Sequence, residues 1–113
     1  MTLAVQRLSE DLSVAPQLGP EAMAEAARAG FRSIVNNRPD FEGGPSQPTS
    51  ASIEAAARAV GLEYAWLPVA PAFQSADEIE RFAGLLQTLP KPILAFCRSG
   101  TRSGRLFHAA SGE

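Results

Sequence analysis

Short apolar runs alternate with longer segments in which apolar and polar residues recur at helical spacing along this chain of 113 residues. Short runs of this kind are typical of strands in a folded domain. Residues 5–8 and 12–15, separated by a polar turn, predict a hairpin at one edge of a sheet. Further apolar runs predict strands at residues 31–36, 63–68 and 92–96.

The helical segments carry signals for where they begin and end. Pro20 suits the first position of a helix, where a backbone amide hydrogen is not needed. Ser75 can cap a helix whose first turn contains acidic residues, which the helix dipole favours. Helices are predicted over residues 20–29, 50–60, 75–89 and 101–110, and the first three are followed by Gly30, Gly61 and Pro90.

The alternation of strands and helices predicts an α/β fold with a mainly parallel sheet, covered by helices on both faces. Ligands of such sheets bind at the carboxyl ends of the strands. Cys97, residues 36–40 and the residues after Leu67 should therefore lie on one rim. Residues 41–48 are rich in glycine and proline and predict a loop there, long enough to be a functional flap.

Composition narrows the class of protein. A chain of 113 residues with 45% hydrophobic content predicts a single domain over residues 1–113. A net charge of −2 gives no basic surface, so we expect no nucleic-acid partner and no membrane partner. One cysteine and one histidine do not make a disulfide or a standard zinc site, and we expect no metal and no cofactor. No stretch approaches the roughly 20 apolar residues of a membrane span, which predicts a soluble, cytoplasmic protein.

Cys97 lies where the last predicted strand passes into the last predicted helix. Inward-facing backbone N–H groups and a helix N-terminus at such a loop attract anions and stabilise a thiolate. A glycine there can take the left-handed conformation that the loop needs. The sequence therefore predicts a nucleophilic Cys97 thiolate, with a buried structural cysteine as the other interpretation. The predicted anion-binding loop comprises Arg98, Ser99, Gly100, Thr101 and Arg102.

Three motifs resemble the phosphatase-like domain of beta-lactamase hydrolase-like proteins. This is a small bacterial family whose fold is similar to that of dual-specificity phosphatases, which are protein-tyrosine-phosphatase-like. The motifs are IVNNRPD at residues 34–40, QPT at residues 47–49 and FCRSGTRS at residues 96–103, and the resemblance covers about residues 5–107. It implies a phosphatase-like hydrolase with a covalent cysteinyl intermediate. It also implies that Ser103 donates a hydrogen bond to the Cys97 thiolate; capping of the last helix is the other interpretation of this serine.

The Cys97 loop departs from the dual-specificity phosphatases in two ways. Those enzymes have a histidine before the cysteine and five residues between cysteine and arginine, whereas this chain has Phe96 and only four. Rhodaneses, which carry sulfane sulfur on a cysteine persulfide, have a similar short loop. A tighter ring of amides suits a sulfur atom better than a phosphoryl group. The alternatives to the hydrolase are thus a rhodanese-like sulfurtransferase or a non-enzymatic thiol redox or anion sensor.

A phosphatase also needs a general acid, and the sequence offers several carboxylates for that role. Residues 70–72, where related phosphatases often place the acid, are Ala-Pro-Ala. We predict Asp40 as the acid, although it also suits a turn, and Glu42 and Asp77 are alternatives. Sulfur transfer needs no such acid.

Arg38 and the substrate complete the predicted site. Arg38 either contacts the bound anion or forms an ion pair with Asp40 or Glu42 that holds the flap. The predicted catalytic residues are Cys97, Arg102, Ser103 and Asp40. We expect a small anionic substrate, either a phosphate ester or a sulfane-sulfur donor, and a thiol acceptor in the second case.

Overall fold

The computed structural model describes residues 3–112 and follows the predicted alternation of strands and helices. The first predicted helix is shorter than expected, because a 3₁₀ turn over Pro20–Ala22 replaces its beginning. The strands are β1 (Gln6–Arg7), β2 (Leu12–Ala15), β3 (Ser33–Asn36), β4 (Glu63–Trp66) and β5 (Ile93–Phe96). The helices are α1 (Met23–Arg28), α2 (Ser50–Ala59), α3 (Ala76–Thr88) and α4 (Thr101–Ala110).

The five strands form one sheet in the order β1-β2-β5-β3-β4. β1 pairs with β2 in antiparallel orientation, and every other neighbouring pair is parallel. The predicted mainly parallel α/β fold is therefore confirmed, with the hairpin at one edge. β5 lies in the middle, and its Ala95 is in register with Val14 on one side and Val35 on the other. The chain that leaves β5 therefore emerges between the carboxyl ends of β2 and β3.

Helices cover both faces of the sheet. Successive side chains of β5 point to opposite faces, as the pleat requires, so this strand contributes to two separate apolar clusters. Burial of these side chains provides most of the driving force for folding. One cluster contains Leu94 and Phe96 with Met23 of α1 and Ile53 of α2; the other contains Ile93 and Ala95 with Phe82 of α3 and Leu106 of α4.

The helix ends show why the segments begin where they do. Ser75 Oγ accepts the N–H of Glu78 at 3.1 Å, and the Glu78 carboxylate accepts the N–H of Ser75 at 2.8 Å. This reciprocal pair is a capping box. α4 begins differently, because its N-cap is Gly100, which has no side chain to accept the first amides. Within residues 3–112 no helix has both the length and the apolar character needed to cross a bilayer.

Candidate active site

Cys97 follows β5 directly at the carboxyl end of the parallel strands. Its N–H donates to the carbonyl oxygen of Ala15 at 3.4 Å, on the β2 side. On the β3 side, the N–H of Asn37 donates to the carbonyl oxygen of Phe96 at 2.9 Å. The backbone at Cys97 is therefore held from both neighbouring strands.

The Cys97 sulfur is surrounded by hydrogen-bond donors from its own loop. The N–H of Gly100 donates to Sγ at 3.0 Å. Burial by itself raises the pKa of the thiol, but the backbone N–H groups of Ser103, Ser99 and Gly100, together with the Ser103 hydroxyl, outweigh it. The pKa of Cys97 is therefore lowered from its ordinary value of 9.0, which favours the thiolate.

Ser103 and Asn37 form a buried polar pair beside this sulfur. The Ser103 hydroxyl donates to Asn37 Oδ1 at 2.8 Å, and Asn37 Nδ2 donates to the carbonyl oxygen of Leu67 at 3.0 Å. Both polar side chains are fully buried. Because a hydroxyl has one hydrogen, Asn37 and the Cys97 sulfur compete for it. The sequence analysis did not identify Asn37 as part of the site.

Arg102 lies in the first turn of α4 and is 5% exposed. Its Nη1 donates to Glu42 Oε2 at 3.1 Å and to the carbonyl oxygen of Val69 at 2.9 Å, and its Nη2 donates to Glu42 Oε1 at 3.0 Å. Within residues 3–112, its Nε is the one buried side-chain polar atom without a hydrogen-bond partner. A guanidinium held in this way keeps one N–H donor for an anion.

Glu42 joins two arginines across the site. Besides its two bonds with Arg102, its Oε1 accepts from Arg38 Nε at 2.9 Å. Burial raises the pKa of this carboxyl, but the hydrogen bonds from Arg102 and Arg38 lower it further, so the net shift is downward from 4.5. Glu42 is therefore ionised at neutral pH. Of the two interpretations of Arg38, the ion pair with Glu42 is the contact that the structure shows.

A cleft of about 620 Å³ opens in front of Cys97. Its volume is typical of small-molecule sites. The sequence analysis missed Arg105, although its spacing of three residues from Arg102 on a helix was a signal that both lie on one face. The charged side chains that line the cleft with Cys97 are Arg38, Arg98, Arg102, Arg105 and Glu42, and Ser99 and Thr101 of the predicted loop also line it.

Comparison with known proteins places this arrangement in a family. Residues 4–112 match the family described as beta-lactamase hydrolase-like protein, phosphatase-like domain. The chain belongs to this family. A beta-lactamase hydrolase-like protein of Xylella fastidiosa is 36% identical over 100 residues, which is 88% of this chain and 23% of that protein. The phosphatase-like domain described here thus spans about a quarter of the length of that curated relative.

Solved structures share the fold of this phosphatase-like domain. A candidate phosphatase of Neisseria meningitidis is 33% identical, has a TM-score of 0.88 and is matched over 99% of this chain and 81% of its own. Pseudomonas aeruginosa TpbA, solved in complex with pTyr, has a TM-score of 0.68 at 17% identity, over 92% of this chain and 59% of its own. The second likeness shows the fold alone. The predicted phosphatase-like fold is confirmed, and the family and its neighbours indicate an enzyme.

Two of the predicted catalytic residues, Asp40 and Ser103, do not line the cleft of this phosphatase-like domain. Ser103 is buried beside the Cys97 sulfur, whereas Asp40 is used elsewhere. Its Oδ1 accepts the N–H of Ser50 at 2.8 Å, at the beginning of α2. Asp77 lies on α3 and pairs with Arg81 at 2.9 Å. Among the described residues, Glu42 is the carboxylate that lines the cleft, and it is held in its ionised form. The described residues that line the cleft therefore include the Cys97 thiol and four arginines, and their carboxyl group is ionised.

Proposed function

We propose that this domain is a cysteine-dependent group-transfer enzyme in which the Cys97 thiolate attacks a small anionic substrate. The observation that carries the proposal is the buried Sγ, with its lowered pKa, at a cleft lined by Arg102. A thiolate is the nucleophilic form of cysteine. The free Nε–H of Arg102 and the other arginines that line the cleft hold the anionic group during attack. The product of this step is a covalent cysteinyl intermediate.

Transfer of sulfane sulfur is the reaction that the geometry supports best. The Cys97 thiolate attacks the outer sulfur of a donor such as thiosulfate. The S–S bond of the donor breaks, its electron pair leaves with sulfite, and Cys97 becomes a persulfide. An acceptor thiolate then attacks the outer sulfur of Cys97, whose thiolate leaves with the bonding electrons. Because every leaving group is a stable anion, no step needs the protonated carboxyl that this cleft lacks.

The loop geometry also favours sulfur over phosphorus. The N–H of Thr101 is directed to Ser99 Oγ at 3.4 Å, and the N–H of Gly100 is directed to Cys97 Sγ. Each of these two N–H groups already has an acceptor, Ser99 Oγ or Cys97 Sγ, and is not available to the oxygens of a bound phosphoryl group. A phosphoryl group needs several donors at longer reach for its equatorial oxygens. The single atom of a persulfide makes no such demand.

Hydrolysis of phosphate esters is the second candidate, and the family and its structural neighbours favour it. The thiolate attacks phosphorus, the ester oxygen leaves, and water hydrolyses the phosphocysteine. An alkoxide leaving group needs a proton from a general acid, but a phenolate leaves without one. In this reaction the domain should therefore act on aryl phosphates and not on alkyl phosphates.

Mass spectrometry of the intact protein tests both candidates. The protein and its Cys97→Ser variant are exposed separately to thiosulfate and to an aryl phosphate, and released sulfite and phosphate are measured. We expect a gain of one sulfur atom in the native protein and none in the variant. Phosphate turnover with a trapped phosphocysteine would instead support the hydrolase. No adduct and no turnover with either reagent, or turnover that survives Cys97→Ser, would overturn the proposal.

A further inference from the structure

Four arginines line the cleft, but only two of them pair with a carboxylate, and they share its single negative charge. Arg38 and Arg102 share Glu42. Arg98 and Arg105 form no ion pair with any carboxylate of residues 3–112. This excess of positive charge is local, because the whole chain has a net charge of −2. Such concentration of one charge sign in a cleft attracts ligands of the opposite sign.

The two unpaired arginines lie further out than Arg102. Arg105 follows Arg102 by three residues on α4, and both line the cleft, so their Cβ atoms are about 5–6 Å apart on one helix face. Arg102 is buried, whereas Arg105 and Arg98 are exposed. Arg105 Nη1 reaches only the carbonyl oxygen of Pro71, at 3.4 Å. The cleft thus has an inner cationic position beside Cys97 and an outer one near its mouth.

Each position has donors for its own anionic group. At the inner position, the buried Nε of Arg102 lacks a partner, which indicates a bound anion in the working enzyme. At the outer position, guanidinium groups of two residues are available, and guanidinium suits the paired oxygens of a carboxylate, sulfonate or phosphate. A single small anion beside Cys97 reaches only the inner position.

We infer that Arg98 and Arg105 form a second anion subsite, and that the substrate is a small molecule with two anionic groups, one for each cationic position of the cleft. This inference rests on the proposed function, because the inner anion is the group that Cys97 attacks. The volume of about 620 Å³ accommodates such a molecule. The outer anion binds Arg98 and Arg105 and orients the reacting group toward Sγ.

Protection of Cys97 from alkylation tests the subsite without any assumption about the reaction. The neutral reagent iodoacetamide labels Cys97, and its rate is measured at constant ionic strength with methanesulfonate or with propanedisulfonate, which has a sulfonate at each end. We expect propanedisulfonate to protect at a concentration about tenfold lower, equivalent to about 1.4 kcal/mol. In Arg105→Gln this advantage should fall to about twofold, the statistical factor for two equivalent ends.

Three comparisons make the result decisive. Arg28→Gln removes an exposed arginine on α1, outside the cleft, and should keep the tenfold advantage. Arg105→Lys keeps the positive charge and should retain part of the advantage of propanedisulfonate. Arg98→Gln should lose part of that advantage. Equal protection of the native protein by the two sulfonates, or an advantage of about tenfold that survives removal of both outer arginines, would overturn the subsite. Alkylation no faster than that of an ordinary thiol would instead overturn the proposed role of Cys97.

Discussion

The loop after β5 and the segment after β3 both line one cleft, but they are held by different kinds of contact. After β5, backbone N–H groups surround the Cys97 sulfur, and the side chain of Gly100 is a hydrogen atom. After β3, side chains provide the contacts, with Glu42 held by Arg38 and Arg102. The loop after β5 should therefore be sensitive to backbone conformation, and the segment after β3 to the charge of individual side chains.

The attachments of the two segments explain this difference. The loop after β5 is short and begins between two strands that fix its path. The flap, residues 41–48, is longer, and its attachment depends on polar side chains such as Gln47. Gln47 accepts the N–H of Gly43 at 2.7 Å and donates to the carbonyl oxygen of Pro39 at 2.9 Å. A long loop that has no regular structure needs such contacts to compensate the entropy of its ordering.

Gly100→Ala should have the largest effect on the site, because it changes the backbone conformation of the loop after β5. Gly100 has φ of +93°, and a Cβ there would lie 3.4 Å from the carbonyl of Ala15. This conformation costs an alanine on the order of 1–3 kcal/mol. Relief of the strain moves the N–H away from Sγ, which should raise the pKa of Cys97 and slow its alkylation at neutral pH about tenfold.

Gly104→Ala is the matched control for this substitution. Gly104 is helical, and no atom lies within 4 Å of its added Cβ. Alanine there should leave the alkylation rate unchanged and stabilise α4 by up to about 1 kcal/mol in urea unfolding. If Gly100→Ala behaves like Gly104→Ala in both measurements, the backbone of the loop does not set the reactivity of Cys97.

Glu42→Gln tests the segment after β3, which is held by side-chain contacts, and should have the next largest effect. The amide keeps the shape but loses the charge that holds Arg102 and Arg38, which should lower the free energy of unfolding at neutral pH by about 1–3 kcal/mol. The folded protein holds the pKa of Glu42 below 4.5, so its contribution is present above pH 4.5 and lost as the pH falls through the lower folded value. The variant should therefore lose less stability than the native protein over that acidic range.

Glu54→Gln provides the comparison for Glu42→Gln. Glu54 pairs with Arg58 on the exposed surface of α2, with side chains 43% and 51% exposed. Pairs of this kind contribute at most about 1 kcal/mol. Equal losses in the two variants would mean that the Glu42 ion pairs are as weak as an exposed pair.

Ser103→Ala should have the smallest effect on the thiolate. The backbone donors around Sγ remain and only the smallest of the contributions that lower the pKa of Cys97 is lost, so the midpoint of the alkylation rate against pH should move slightly upward. Ser111→Ala, at the end of the same helix, should leave the midpoint unchanged. An unchanged midpoint in Ser103→Ala would show that its hydroxyl is committed to Asn37 and does not serve the sulfur.

Features that depend on neighbouring residues could be predicted from the sequence. The apolar run of β5 and the Ser75 cap of α3 each involve residues close in the chain, and both occur where the sequence indicates. The same holds for the position of Cys97 at the carboxyl end of a strand, because the order of a strand, a glycine-containing loop and a helix is a local pattern.

Contacts between distant segments could not be predicted in this way. Arg102 and Glu42 are 60 residues apart, and their pairing depends on the path of the flap. The prediction of Asp40 as general acid rests on its residue type and its place on the rim. In the structure, the carboxylate of Asp40 accepts the N–H of Ser50 at the beginning of α2 instead. Residue type and rim position therefore limit the possible roles of a carboxylate without selecting one.

Because β5 is held between two strands, the length of the Cys97 loop can change without a change in the sheet. The loop's entry is attached to the β2 side, where the N–H of Gln17 donates to the carbonyl oxygen of Arg98 at 3.2 Å, and α4 is anchored through buried Leu106. Both strand pairings of β5 end at Phe96, so a residue inserted between Cys97 and Arg102 should leave them unchanged. Evolution can therefore change the size of the group that this loop encloses by inserting or deleting a single codon, while the scaffold is inherited intact.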